Sequence, residues 1–132
     1  MSHIRNFDRR SFLRTGSALA VGTLAAPSIL RAQDGPIVLG HLTPRTGFLG
    51  PLGEYAVMAV DMAVAEINAA GGVNGRQLQI LKEDSVNPQT ASTKAERMIE
   101  RDKVAAIVGE ISSASALTIA QTVERAKTLF IN

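Results

Sequence analysis

The sequence contains no cysteine and no tryptophan, only two histidines, and aromatic residues make up just 4% of it. The lack of cysteine excludes disulfides, thiol nucleophiles, Cys-based metal sites and a lipid anchor on an N-terminal Cys. Positive charge is also unevenly spread. Residues 1–32 hold five arginines and one acidic residue, and the rest of the chain holds nine basic and eleven acidic residues. That larger part lacks the basic excess that a nucleic-acid partner requires, so we expect no nucleic-acid binding.

Residues 1–32 have the layout of an export signal. A basic segment, DRRSFLR, precedes an uncharged stretch at 15–30. The adjacent arginines followed by Phe-Leu indicate a twin-arginine signal, although Asp8 and Arg14 depart from the usual flanking residues. The uncharged stretch is shorter than the ~20 residues that span a bilayer, which disfavours a membrane anchor. We expect cleavage after Ala32, with Ala25 as the alternative, and a soluble periplasmic protein that is not a lipoprotein.

Residues 33–132 alternate between strand-like and helix-like patterns. Short apolar or alternating runs predict strands, and apolar residues at spacings of three and four predict helices. The predicted strands are 36–42, 77–82, 104–108 and 129–131, and the predicted helices are 54–70, 89–102 and 113–126. The β-α-β-α-β-α-β order predicts right-handed crossovers and a parallel sheet with helices on both faces, a three-layer α/β/α fold.

Two predicted loops follow the carboxyl ends of strands, at 43–53 and at 109–113. Ligands of open parallel sheets bind beyond these ends. Ser112 and Ser113 stand where the third helix begins, and free backbone N–H groups at a helix start favour an anion such as a carboxylate. A serine at this position can equally cap the helix without binding a ligand, so both interpretations stay open.

Patterns for catalysis or metal binding are weak. The sequence has no G-x-S-x-G motif, and the glycines at 71–75 run from helix to strand, which indicates a turn and not a phosphate loop. Glu83 and Asp84 have no third ligand nearby and are interpreted as a solvated strand end. His41 lies within a strand, and Glu110 is expected at the rim of the cleft. We therefore expect no enzyme activity, no metal and no cofactor.

Four blocks after the leader resemble a known family: LTPRTGFLGPLGEY, AVAEINAAGGVNGRQLQI, KEDSVNPQTA and VAAIVGEISSASAL. They are similar to the N-terminal lobe of periplasmic solute-binding proteins of the branched-chain amino-acid (Leu/Ile/Val-binding) type. The resemblance implies a type I periplasmic-binding fold, with 33–132 as an incomplete N-terminal lobe. It also implies binding of amino acids, or related small amide or carboxylate ligands, and delivery to an ABC permease in the inner membrane.

The resemblance further implies roles for individual residues. Ser112 and Ser113 would receive the ligand carboxylate, with Ser113 the stronger candidate, and Phe48 and Leu52 would line the pocket. Members of the family are roughly three times longer than a single lobe. We therefore expect a truncated fragment that neither closes on a ligand nor binds it tightly. The open alternatives are an α/β enzyme of flavodoxin-like topology, a ligand-sensing receptor of the same fold, and a non-functional remnant.

Overall fold

A computed structural model of the protein describes residues 35–132, which contain four strands and three helices. In chain order these are β1 (Ile37–Thr43), α1 (Gly50–Ala69), β2 (Leu78–Asp84), α2 (Pro88–Glu100), β3 (Ala106–Val108), α3 (Ser113–Ala126) and β4 (Leu129–Ile131). The strands form one parallel sheet in the order β2-β1-β3-β4, which confirms the predicted fold class. The predicted export signal, 1–32, lies outside the described residues.

The helices cover both faces of the sheet. Adjacent side chains of a strand point to opposite faces, so Lys82 and Glu83 of β2 mark the two sides. Lys82 pairs with Asp61 of α1 at 2.7 Å, and Glu83 pairs with Lys94 of α2 at 3.1 Å. Helix α3 packs against α2. The sheet therefore has α1 on one face and the pair α2 and α3 on the other, as a three-layer fold requires.

The hydrophobic core lies between the sheet and the α2–α3 pair. Gly40 of β1 lets α2 approach closely, because a Cβ atom there would lie 2.7 Å from Met98 Sδ. The buried members of this core are Leu42, Ala91, Ala95, Met98, Val104, Ile107, Ile119 and Val123. Since these residues come from β1, from β3 and the segment before it, and from both helices, the core fixes the strands relative to α2 and α3.

Helix α1 begins at Gly50, earlier than the predicted start at Glu54. Pro51 occupies its first turn, where the fixed φ of proline suits a helix and its missing N–H leaves no donor unpaired. Gly53 lies within the helix, and only glycine fits at this position because a Cβ atom there would come within 1.7 Å of the Pro44 carbonyl oxygen. The three glycines between residues 43 and 53 predict a loop by composition. Gly53, however, allows the helix to pack closely against Pro44. The loop after β1 is therefore only 44–49.

The other boundaries lie close to the predicted ones. Helix α3 has the predicted bounds, whereas β3 is shorter than the predicted 104–108. Helix α2 begins after Asn87, whose side chain accepts a hydrogen bond from the Thr90 N–H at 2.9 Å and so caps the helix. Within 35–132, no helix combines the length and the apolar character needed to cross a membrane.

Candidate functional site

A cavity of about 340 Å³ opens at the carboxyl-terminal edge of the sheet. Its walls come from the segments after β1 and β2 and from the first turn of α3. Ser85, Ser112 and Ser115 are the lining residues with serine side chains, while Phe48 and Leu49 contribute apolar surface. None of the described residues that line the cavity is charged. The cavity therefore offers neutral hydrogen-bonding groups next to an apolar wall, the usual composition of a small-molecule site.

The hydroxyl of Ser112 is not used to cap α3. Ser112 is the N-cap residue with extended backbone angles, yet its side chain makes no capping hydrogen bond. The Ser112 backbone N–H instead donates to Glu110 Oε1 at 2.9 Å. Capping therefore does not account for this serine, and its hydroxyl remains available to a molecule in the cavity.

Glu110 is buried, which corrects the expectation that it rims the cleft. Only 6% of the residue is exposed, and its Oε2 atom has no hydrogen-bond partner among the described residues. Gly109 explains the arrangement, because its positive φ of 104° reverses the chain after β3 and directs Glu110 back toward the helix start. A side chain at Gly109 would collide with the Leu42 carbonyl oxygen, at 2.2 Å from Cβ. The carboxylate of Glu110 is thus part of the scaffold that holds Ser112.

Asp84 holds two walls of the cavity together, and so does more than end a solvated strand. Its Oδ1 atom accepts hydrogen bonds from the Arg45 N–H at 2.9 Å and the Val86 N–H at 3.0 Å, and Oδ2 accepts from the Thr46 hydroxyl at 2.7 Å. The loop is tied to α1 as well, since Arg45 Nε donates to Glu54 Oε1 at 2.8 Å. These bonds fix the loop after β1 against the turn after β2.

These hydrogen bonds make the cavity wall sensitive to acid. Burial raises the pKa of the Asp84 carboxyl, but the hydrogen bonds from Arg45, Thr46 and Val86 outweigh it, and the pKa lies below its usual value. A carboxyl with a lowered pKa stabilises the fold above its unfolded-state pKa of about 3.9, and that stabilisation is lost as the pH falls through the folded value.

We therefore expect Asp84→Asn to flatten the fall in melting temperature between about pH 5 and pH 2, the range over which such a carboxyl becomes protonated. Thermal unfolding followed by circular dichroism across that range measures the effect. Glu124→Gln is the matched control, because it removes one carboxylate from an exposed position on α3. Equal acid sensitivity in Asp84→Asn and the unsubstituted chain would contradict the assigned role.

The structure brings together only some of the residues predicted for the site. Ser112 lines the cavity, and so does Phe48, whose side chain is 97% exposed. Ser113 is exposed and borders a neighbouring cavity of about 410 Å³ between α3 and β4. Leu52 lies on α1, is 58% exposed, and does not line the site cavity, because α1 begins before it. The roles of all four residues in binding remain predictions.

Two lining serines, Ser85 and Ser115, were not among the predicted site residues, although each occupies a position that a general pattern favours. Ser115 follows Ser112 by one helical turn, so the spacing that places both on one helix face was a usable signal. Ser85 directly follows β2, as Ser112 follows β3, and the rule that ligands lie beyond strand ends applies to it equally.

His41 is packed, as its position in a strand suggested. It is 2% exposed, and its Nδ1–H donates to the Val108 carbonyl oxygen at 3.1 Å. Desolvation lowers the pKa of His41, although the bond to Val108 opposes this, so the ring is neutral at physiological pH. Among the described residues no group of three acidic or histidine side chains is placed to hold a metal ion.

The described residues form a parallel sheet between helical layers, with an uncharged cavity at the strand ends, which is an α/β lobe with a candidate ligand site. The chain belongs to the periplasmic binding protein family, whose pattern matches residues 36–132. Solved structures of that family share its fold, which confirms the expected type I periplasmic-binding architecture.

Among its relatives, an amino acid binding protein of Pseudomonas aeruginosa is 33% identical over 110 residues, which is 83% of this chain and 29% of the relative. Leu/Ile/Val-binding protein homolog 7 of Brucella abortus is 37% identical over 109 residues, 83% of this chain and 27% of the relative. The branched-chain amino acid transporter substrate binding protein LivJ of Streptococcus pneumoniae, in complex with isoleucine, superposes with a TM-score of 0.70 at 26% identity, covering 72% of this chain and 28% of LivJ. The chain thus spans less than a third of the length of these proteins.

Proposed function

We propose that residues 33–132 provide one wall of a binding site for a small ligand. The ligand is a branched-chain amino acid or a related small amide or carboxylate. The observation that carries this proposal is the uncharged cavity at the strand ends. Ser112 lies in its wall, and the hydroxyl of this residue makes no capping hydrogen bond to α3. A hydroxyl and free N–H groups at the start of α3 suit a carboxylate, because the helix dipole favours negative charge there.

The proposal also covers transport. The relatives are named as amino-acid-binding and transporter substrate-binding proteins, which supports a solute-binding component of an ABC importer that delivers its ligand to a membrane permease. Family membership supports a periplasmic location. The twin arginines of the leader support export through the twin-arginine machinery, and the absence of cysteine means that no lipid-anchored Cys is available.

Titration of the ¹⁵N-labelled 132-residue chain with L-isoleucine, followed by two-dimensional NMR, tests the binding proposal. We expect weak binding, with the largest chemical-shift changes at 47–49 and 112–115. A charge-assisted hydrogen bond contributes about 1.5–3 kcal/mol, so Ser112→Ala or Ser113→Ala should weaken binding by that amount. Comparing the two variants decides which serine contacts the carboxylate.

Thr93→Ala is the matched control for these two variants. Thr93 is exposed on α2, and its hydroxyl donates to the Gln89 carbonyl oxygen of its own helix, away from the cavity. The control should bind isoleucine as the unsubstituted chain does. Shifts that are absent from the strand-end loops, or that persist unchanged in both serine variants, would exclude this cavity as the amino-acid site.

A further inference from the structure

The hydroxyl of Ser85 is buried without a hydrogen-bond partner. Ser85 is 1% exposed, and its backbone is fully engaged: its N–H donates to the Thr43 carbonyl oxygen at 3.0 Å, and its carbonyl accepts from the Asn87 N–H. Its Oγ atom bonds to none of the described residues. Folded proteins pair nearly all buried hydroxyls, because an unpaired one has lost its water without compensation.

Ser85 differs in its location from the other groups with this property. The other buried side-chain atoms without a partner in the described residues belong to His41, Thr43, Arg97 and Glu110. None of those four residues lines the strand-end cavity, whereas Ser85 does. An unpaired hydroxyl in the wall of a site therefore has a candidate partner that the others lack, namely a molecule in the cavity.

The turn that carries Ser85 is held under backbone strain. Val86 has a φ of 48°, in the left-handed region that β-branched residues rarely adopt. The bond from the Val86 N–H to Asp84 Oδ1, at 3.0 Å, maintains this conformation. Strained residues that persist in a fold are concentrated at ligand-binding positions, where the surrounding contacts impose the strain. The strain thus marks the same wall of the cavity as the unpaired hydroxyl.

We infer that the Ser85 hydroxyl is a ligand-contacting group that donates to an oxygen of the ligand's polar end, from the end of β2. This contact rests on the proposed function, which it deepens by adding the end of β2 to the site. The Oγ atom has almost no exposed surface, so it reaches the ligand by rotation about χ1. Because no hydrogen bond holds Oγ, that rotation breaks none.

The ligand group at Ser85 is an acceptor oxygen, as in a carboxylate. The lining residues carry no charge, so the cavity supplies no cationic side chain to pair with such a group. Neutral donors from two strand ends would then share one carboxylate, Ser112 from β3 and Ser85 from β2. A hydroxyl is suited to this because it rotates to present its hydrogen to the acceptor.

Ser85→Ala, with Thr43→Val as the matched control, tests this contact in the 132-residue chain. Both changes remove a buried, unpaired hydroxyl at a strand end, but only Ser85 lines the cavity. Neither change breaks a side-chain hydrogen bond of the described residues, so both variants should fold and melt at or above the temperature of the unsubstituted chain. L-isoleucine should bind to Ser85→Ala about tenfold or more weakly, and to Thr43→Val with unchanged affinity.

The possible outcomes separate this inference from the proposed function. Isoleucine binding that is weakened by Ser112→Ala or Ser113→Ala but unchanged in Ser85→Ala would overturn the Ser85 contact and leave the proposed function standing. An equal loss in Ser85→Ala and Thr43→Val would also overturn it, because the effect would then be structural. No isoleucine response in the unsubstituted chain would overturn both.

Discussion

Gly109→Ala should lower the free energy of unfolding by about 2–5 kcal/mol, the sum of a left-handed backbone penalty and a steric one. The φ of 104° at Gly109 disfavours any side chain, and the added Cβ would lie 2.2 Å from the Leu42 carbonyl oxygen. Backbone atoms of the central strand cannot move aside as a flexible side chain can. Urea denaturation measures the loss, as a lower midpoint concentration with an unchanged m-value.

Gly71→Ala separates the two contributions. Gly71 has nearly the same φ, 102°, but a Cβ atom there would meet nothing within 4 Å. This control should cost only the backbone penalty of about 1–2 kcal/mol. Equal stability of the two variants would contradict the predicted steric contribution. The turn between β3 and α3 would then not be packed closely enough against β1 to position Glu110 and Ser112.

The second large effect is expected in the core, where Ile119→Ala should destabilise the protein by about 2–5 kcal/mol. Ile119 is fully buried between α3 and the sheet, so truncation removes apolar contacts and leaves a cavity. The same urea experiment measures this loss of stability.

Leu117→Ala on the same helix is the control for Ile119→Ala. Leu117 is 69% exposed, so its truncation should change stability by no more than about 0.5 kcal/mol. A large loss in Leu117→Ala would mean that this face of α3 is covered by other parts of the protein in solution.

The sequence predicts the fold well because its periodic patterns follow burial. Helix α3 has the predicted bounds since Ala116, Ile119 and Val123, at spacings of three and four, face the core. The parallel order of the strands follows from their alternation with helices. The predicted start of α1 was wrong because a glycine in a helix and a glycine in a loop look alike in sequence. Only the contact between Gly53 and the Pro44 carbonyl distinguishes them.

The candidate site could be predicted only in outline. Its place at the strand ends follows from the general rule for parallel sheets, and Ser112 follows from its place before a helix. Which hydroxyls are already bonded depends on the folded geometry and not on residue type. The hydroxyl of Ser112 caps no N–H of α3, and the hydroxyl of Ser85 has no partner among the described residues; the identity of a serine in the sequence indicates neither fact. Asp84 likewise acquires its role only when the loop after β1 is brought against it.

The parallel arrangement of β1 has a consequence for how the chain folds. β1 pairs with β2 on one side and β3 on the other, and each partner is separated from it along the sequence by at least one whole helix. No hairpin can nucleate such a sheet, because every strand pair requires closure of a long loop first. During synthesis β1, one of the two inner strands, is made before both of its partners and remains unpaired until β2 has left the ribosome, so folding should be slow and the nascent chain exposed to aggregation.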